Sequence, residues 1–157
     1  MLVSIIYPVR NNLIWFSKSI DSILATTNKR DVEILLKIDS DENATPYIKV
    51  LLKSGLDYKI IIYDKMAGVS DVFLFDLDLS KLANGEFIWT SGDDIIMYTN
   101  NWVYELKRAY DIFDDHIIVC AFSSVKTNKY GTVKTKIGNK SMIVSRQWFI
   151  SSGCLFP

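Results

Sequence analysis

The 157-residue chain carries 18 basic and 18 acidic side chains, so it has no net field of either sign to gather nucleic acid or anionic lipid. Hydrophobic residues make up 49% of it, enough for one substantial core, while three prolines and seven glycines leave no room for a long disordered linker. Its two cysteines, Cys120 and Cys154, show no CxxC or Cys/His spacing, which disfavours a zinc site or disulfide framework and suits thiols in a reducing compartment.

The chain enters its fold at once. Residues 3–7 form a short, nearly continuous apolar run closed by Pro8, the pattern of a strand buried on both faces of a parallel sheet. No charged segment leads into an apolar one there, so a cleaved signal is not expected. No stretch reaches the ~20 apolar residues that span a bilayer, and the expectation is a soluble, cytoplasmic protein able to work beside a membrane. Leu13, Phe16, Ile20, Ile23 and Leu24 then recur at helical steps, and a second β-rich run over 32–38 breaks into the acidic loop Asp39-Ser40-Asp41-Glu42-Asn43.

The next helix is well punctuated: Thr45 suits its cap, Pro46 its first turn, and Gly55 a left-handed stop. Residues 59–63 read as a third strand. Residues 70–84 fit two patterns, a helix through Val72, Phe75, Leu79 and Leu82 or a strand alternating through Phe73, Phe75, Leu77 and Leu79. The Asn84-Gly85 stop favours the helix. A fourth strand over 86–90 runs into Ser91-Gly92-Asp93-Asp94, followed by an amphipathic helix with Trp102, Val103, Leu106, Ala109, Tyr110 and Phe113 inward. A fifth strand spans 117–123, and Asn128-Lys129-Tyr130-Gly131 reads as a turn between extended segments. Strands alternating with helices predict an α/β fold, a mostly parallel sheet flanked by helices. Trp148, Phe149, Leu155 and Phe156 are expected to be exposed, as a partner surface, a membrane-facing patch or an uncovered core.

Two acidic clusters, Asp39/Asp41 and Asp93/Asp94, fall where strands end, and in an open α/β sheet the carboxyl ends of the strands line the ligand crevice. Adjacent carboxylates repel each other, and a divalent cation with a polyphosphate relieves that repulsion, since Mg²⁺ takes one or two protein carboxylates and completes its shell with phosphate and water. The competing account is that these are solvated loop acids, because Asp favours turns for backbone reasons. Asp76-Leu77-Asp78 also spells a DxD, but on a helix residues two apart point to different sides. His116, the only histidine, sits at a helix–strand junction as a loop residue; a histidine metal cluster is thereby excluded and a Ser-His-Asp triad disfavoured.

Several motifs in order resemble the family 2 glycosyltransferases. Val3-Ser4-Ile5-Ile6-Tyr7-Pro8-Val9-Arg10-Asn11-Asn12 resembles that family's opening strand and loop, and Ser19-Ile20-Asp21-Ser22-Ile23-Leu24 its first helix. The stretch 33–41, E-I-L-L-K-I-D-S-D, is similar to its second strand with terminal aspartates. Ala83-Asn84-Gly85-Glu86-Phe87-Ile88 through Asp93-Asp94 resembles its A-x-G-E-Y-I and acidic metal motif, and Ser141-Met142-Ile143-Val144-Ser145-Arg146 with Gly153 and Phe156 a later segment. The resemblance implies a GT-A fold, with 1–100 as the nucleotide-sugar-binding part and 101–157 as a partial acceptor-side part. It implies inverting transfer from a UDP- or dTDP-sugar, with Mn²⁺ or Mg²⁺, to a glycan or lipid-linked acceptor; a homo-oligomer is compatible with it.

By position, the resemblance lays Pro8, Val9 and Arg10 along base and ribose and has Asp39, with Asp41 in the same cluster, accept from the uracil N–H. Lys65 is the one nearby basic candidate for a phosphate contact, Asp93 approaches ribose or metal, and Asp94 holds the metal. Two departures stand out. Ser-Gly-Asp-Asp lacks the leading acid of a DxD. An inverting transferase also needs a general base, which that family places after a segment like 153–156, where here only Pro157 follows and no acidic residue comes after Asp115. The expectation is therefore a chain that stops short of its catalytic carboxylate. The alternatives are a non-catalytic nucleotide-sugar-binding or scaffold module, and a plain α/β interaction domain.

Overall fold

A computed structural model describes residues 1–64, 79–92, 95–112, 119–122, 132–137, 140–145 and 151–156. Four parallel strands form the heart of one sheet: β1 (Val3–Val9), β2 (Val32–Asp39), β3 (Asp57–Tyr63) and β4 (Phe87–Ser91). Beyond β4 the sheet continues with two strands from the last third of the chain, β5 (Val119–Phe122) and β8 (Ser151–Phe156). The order is β3-β2-β1-β4-β8-β5, with β8 antiparallel to both its neighbours. A separate hairpin pairs β6 (Thr132–Ile137) with β7 (Lys140–Ser145). The helices are α1 (Leu13–Thr26), α2 (Thr45–Ser54) and α3 (Trp102–Asp111). None of the described helices is long and apolar enough to cross a membrane.

The apolar runs of β1 and β2 are buried on both faces. Val3, Ile5, Tyr7 and Val9 join Val32, Ile34, Leu36 and Ile38 in the larger core, against Phe16, Ile20 and Ile23 of α1, Tyr47 and Leu51 of α2, and Trp102, Val103 and Tyr110 of α3. The opposite face carries Ile6, Leu35 and Leu79. Each large side chain so buried contributes roughly 1.5–3 kcal/mol, which is why period rather than propensity sets these elements. Phe16 stands edge-on to Tyr7 (5.9 Å) and Tyr47 (5.4 Å) at the centre of this packing. Tyr7 brings a hydroxyl inside, 2.7 Å from Ser19 Oγ. Ser19 Oγ donates its own proton to the Ile95 carbonyl (2.5 Å), so Tyr7 is the donor of the pair.

Two local expectations change. Pro8 does not close β1 but lies inside it. Alternate residues of a strand hydrogen-bond to opposite neighbours. Val3 N donates to Asp31 O beside β2 and Leu2 O accepts from Phe87 N of β4 (both 2.9 Å), so even-numbered residues of β1 address β4. Pairing with β4 stops at Ile6, and the missing N–H of Pro8 falls just past it. Thr45 is already helical and its side chain makes no cap; Asn43 Oδ1 instead accepts from Thr45 N (3.1 Å), while Gly55 ends α2 with φ +66 as expected. Leu155 and Phe156 belong to β8, which has a strand on either side, and the exposure expected of their side chains lies outside what is described. The helix expected over 70–84 falls mostly outside the described residues, as do His116, Asp76, Asp78, Trp148 and Phe149.

The approach to β4 is set by a buried polar cluster at the opposite edge from the strand ends. Glu33 of β2, 1% exposed, accepts from Ser4 Oγ (2.5 Å), Asn84 N (2.5 Å) and Asn84 Nδ2 (3.1 Å), with Lys59 Nζ at 3.8 Å. Gly85 N donates to Ser4 Oγ (2.8 Å), and the chain passes so close to β1 that a Cβ on Gly85 would lie 2.5 Å from Ser4 N. At the surface, Tyr104 of α3 donates to Asp31 (2.8 Å), which raises its phenol above the usual value. Lys107 donates to Glu86 (3.0 Å) and Asp111 (3.1 Å), bonds that raise its ammonium likewise. Gly85→Ala forces backbone against backbone and should destabilise the fold by about 1–3 kcal/mol. Thermal and urea melts of the variant check this, and an unchanged midpoint would refute the close approach.

Candidate functional site

The chain lays β1, β2 and β3 outward in one direction and then returns to place β4 on the other side of β1. The strand order thus reverses between β1 and β4, and the carboxyl ends of the strands at such a reversal are where α/β sheets bind ligands. Because β1, β2 and β4 are parallel, their ends, Val9, Asp39 and Ser91, lie on the same edge. The pairing of β1 with β4 ends at Ile6 and Thr90 and β4 ends one residue later at Ser91, so the last two residues of β1, Pro8 and Val9, run past β4 and border the crevice.

Most of the expected nucleotide-site residues that the structure describes meet there. Asp39 is the last residue of β2 and its side chain is 5% exposed. Oδ1 is engaged by the Lys37 ammonium, 7% exposed; Oδ2 lies 3.3 Å from Nη1 of Arg10, which is 47% exposed. The second guanidinium nitrogen of Arg10 lies 3.7 Å from Asp41 Oδ2, so Arg10 spans the two aspartates. A loop-acid account does not hold for Asp39, since a buried carboxylate with two cationic partners is not a solvated turn residue. It does describe Asp41, which is half-exposed. Val9 is corrected in part: its side chain lies in the helix-side core, so only its backbone borders the crevice. Pro8 is half-buried beside it. Lys65, Asp93 and Asp94 lie outside the described residues; Asp93 and Asp94 directly follow Gly92, next after β4.

Three residues that shape this edge were not singled out beforehand. Lys37 left a signal, a cation two residues before Asp39 in a largely apolar strand and hence on its face. Glu42 and Tyr47 left none. Glu42 Oε1 accepts from Asn11 N (2.7 Å) and from the Tyr47 hydroxyl, and that hydroxyl in turn accepts from Asn12 N (3.0 Å). The β1–α1 loop is thus tied to the β2–α2 loop, and Asn11 is held at φ +50, a conformation Asn tolerates better than most residues. An open cleft of about 440 Å³ lies beside this tie, lined by Trp15, Asn43 and Pro46 among others. Arg10, Asp39 and Asp41 do not line it. The cleft is a neighbour of the strand-end site rather than the site itself. Among the described residues no three acidic, histidine or cysteine side chains gather as a metal cluster.

The same fold occurs in solved structures. TarS from S. aureus (residues 1–349) aligns over 99% of this chain and 47% of its own, with a TM-score of 0.61 and 18% identity. A second structure of that protein, in complex with UDP-GlcNAc, covers 99% and 45% at a TM-score of 0.58 and 17% identity. The mannosyltransferase PcManGT from Pyrobaculum calidifontis, in complex with GDP-Man and Mn²⁺, aligns over 78% of this chain and 35% of its own, with a TM-score of 0.61 and 14% identity. The fold is that of the GT-A glycosyltransferases. The chain spans less than half the length of each of these structures. No protein-family model and no curated protein sequence matches it.

In this GT-A fold the Glu42 tie holds the β1–α1 and β2–α2 loops together. Glu42→Ala removes the acceptor for a backbone N–H and a buried hydroxyl, and should cost about 1–3 kcal/mol. The urea midpoint should fall while the m-value stays unchanged; a fall in m would mean that the unfolded ensemble, not the tie, had changed.

Proposed function

We propose that this chain carries the donor site of a metal-dependent, inverting glycosyltransferase that uses a UDP- or dTDP-sugar. The observation that supports this most is Asp39: a buried carboxylate held by two cations at the reversal of strand order, in a GT-A fold. A carboxylate so placed accepts a hydrogen bond from a ring N–H, which no apolar side chain does. Arg10, half-exposed beside it, offers a planar guanidinium to the base or a charge to the phosphates. Pro8, the Val9 backbone and Asp41 border the base and ribose, and Lys65 is the basic candidate for the diphosphate.

Asp93 and Asp94 are the proposed metal ligands, and an adjacent carboxylate pair is the hard-oxygen donor set that Mn²⁺ and Mg²⁺ take. When bound, such a cation stabilises negative charge on the departing diphosphate. Residues 1–100 supply the donor part in this reading, and 101–157 begin the acceptor side, for a glycan or lipid-linked acceptor. The protein would work in the cytoplasm.

Calorimetric titration of UDP with and without Mn²⁺ is the direct test. Binding is expected in both conditions and tighter with the metal; no binding in either refutes the proposal. Asp94→Asn should abolish the metal-dependent part alone. Asp39→Ala should weaken uridine about tenfold or more, metal or no metal, the effect of losing one hydrogen bond to a charged group.

A further inference from the structure

Asp39 does not offer its two carboxylate oxygens on equal terms. Oδ1 is engaged by the buried Lys37 ammonium, whereas Oδ2 is met at 3.3 Å by a guanidinium that is 47% exposed. Lys37 and Asp39 stand two apart on β2 and share a face, so their contact is built into the strand and does not depend on a loop. Separating them would take apart a buried ion pair, which is strongly unfavourable. Arg10 is differently placed. It follows the end of β1, is half in solvent, and has a second partner 3.7 Å away in Asp41, so it can yield Oδ2 without uncovering a buried charge. The carboxylate therefore has one oxygen turned inward and committed, and one that an incoming group can take.

Taking the donor-site reading above as given, we propose that Lys37 makes Asp39 a one-oxygen reader of the donor base, and so sets the base preference. Uracil and thymine present a single ring N–H flanked by carbonyls, and one acceptor oxygen satisfies it. Guanine presents two adjacent donors, a ring N–H and an amino group, which match a carboxylate only when both oxygens face the base. With Oδ1 held by Lys37, one of those donors is left unmatched. Cytosine places an unprotonated ring nitrogen against Oδ2, lone pair against lone pair. Lys37 does not touch the nucleotide in this scheme; it is a positioning residue that acts through Asp39.

The test compares dissociation constants of UDP, dTDP, GDP and CDP at fixed Mn²⁺, measured by calorimetry on the full chain and on Lys37→Met and Lys37→Arg. The wild-type chain should bind UDP and dTDP about tenfold or more tighter than GDP and CDP, the size expected for one unmatched polar group. Lys37→Met frees Oδ1 and should narrow the UDP-over-GDP preference by a similar factor, while Lys37→Arg keeps a cation on Oδ1 and should retain it. A role confined to stability would weaken all four nucleotides alike and leave the ratio unmoved, and that result overturns the proposal. So does a wild-type chain that binds GDP as tightly as UDP. If Lys37→Met does not fold, the wild-type ratio and Lys37→Arg decide: loss of the preference in a folded Lys37→Arg overturns it, and its retention supports it. Binding of no nucleotide at all removes the donor-site reading and this inference together, whereas binding without base preference removes this inference alone.

Discussion

β2 is buried along its whole length and yet carries three charged side chains, Glu33, Lys37 and Asp39. A charge taken out of water has to be paired or hydrogen-bonded, so each of these residues dictates what must come close to the strand. All three share the face opposite α1, α2 and α3. Glu33 gathers Ser4, Asn84 and Lys59 at one end, and Lys37 with Asp39 gathers Arg10 at the other. The rest of the sheet is arranged around these two demands.

At the Glu33 end the demand is architectural. The backbone N–H groups of Asn84 and Gly85 are drawn onto Glu33 and Ser4, and this sets where β4 begins and thus its register against β1. Residue 85 has to be glycine for steric reasons, since a Cβ there would collide with the backbone of β1. At the Asp39 end the pairing is asymmetric, one cation buried and one half in solvent. A pair of this kind adds little net stability, because desolvation offsets most of the attraction. What it does supply is a carboxylate of defined orientation at the carboxyl edge of the sheet. The two ends are joined by one rigid strand, so the placement of β4 and the aim of Asp39 are parts of one construction.

Periodicity identified most elements because burial is strong and local in pattern. The runs in β1 and β2, the inward face of α1, and the stop at Gly55 follow from side-chain spacing and backbone geometry. The candidate site was legible only where one residue carried the signal by itself. Asp39 at a strand end was such a residue. Val9 was not, since the alternation that sends it into the core depends on which face the helices cover. Glu42 and Tyr47 looked like ordinary loop and helix residues, and their joint hold on Asn11 exists only once the two loops are side by side.

By itself, the sequence determined the strand–helix alternation, the parallel core of the sheet and the place of Asp39 at its carboxyl edge. These follow from period, turn chemistry and the handedness of crossovers, all of which act over short stretches of chain. Tertiary structure alone decided that β8 inserts between β4 and β5, that Pro8 can sit within a strand because β4 has already stopped pairing, and that Lys37 and Arg10 divide the two oxygens of Asp39. The reason is the same in each case. These features depend on contacts between residues distant in sequence, or on which of two oxygens meets which cation, and neither leaves a trace in local spacing.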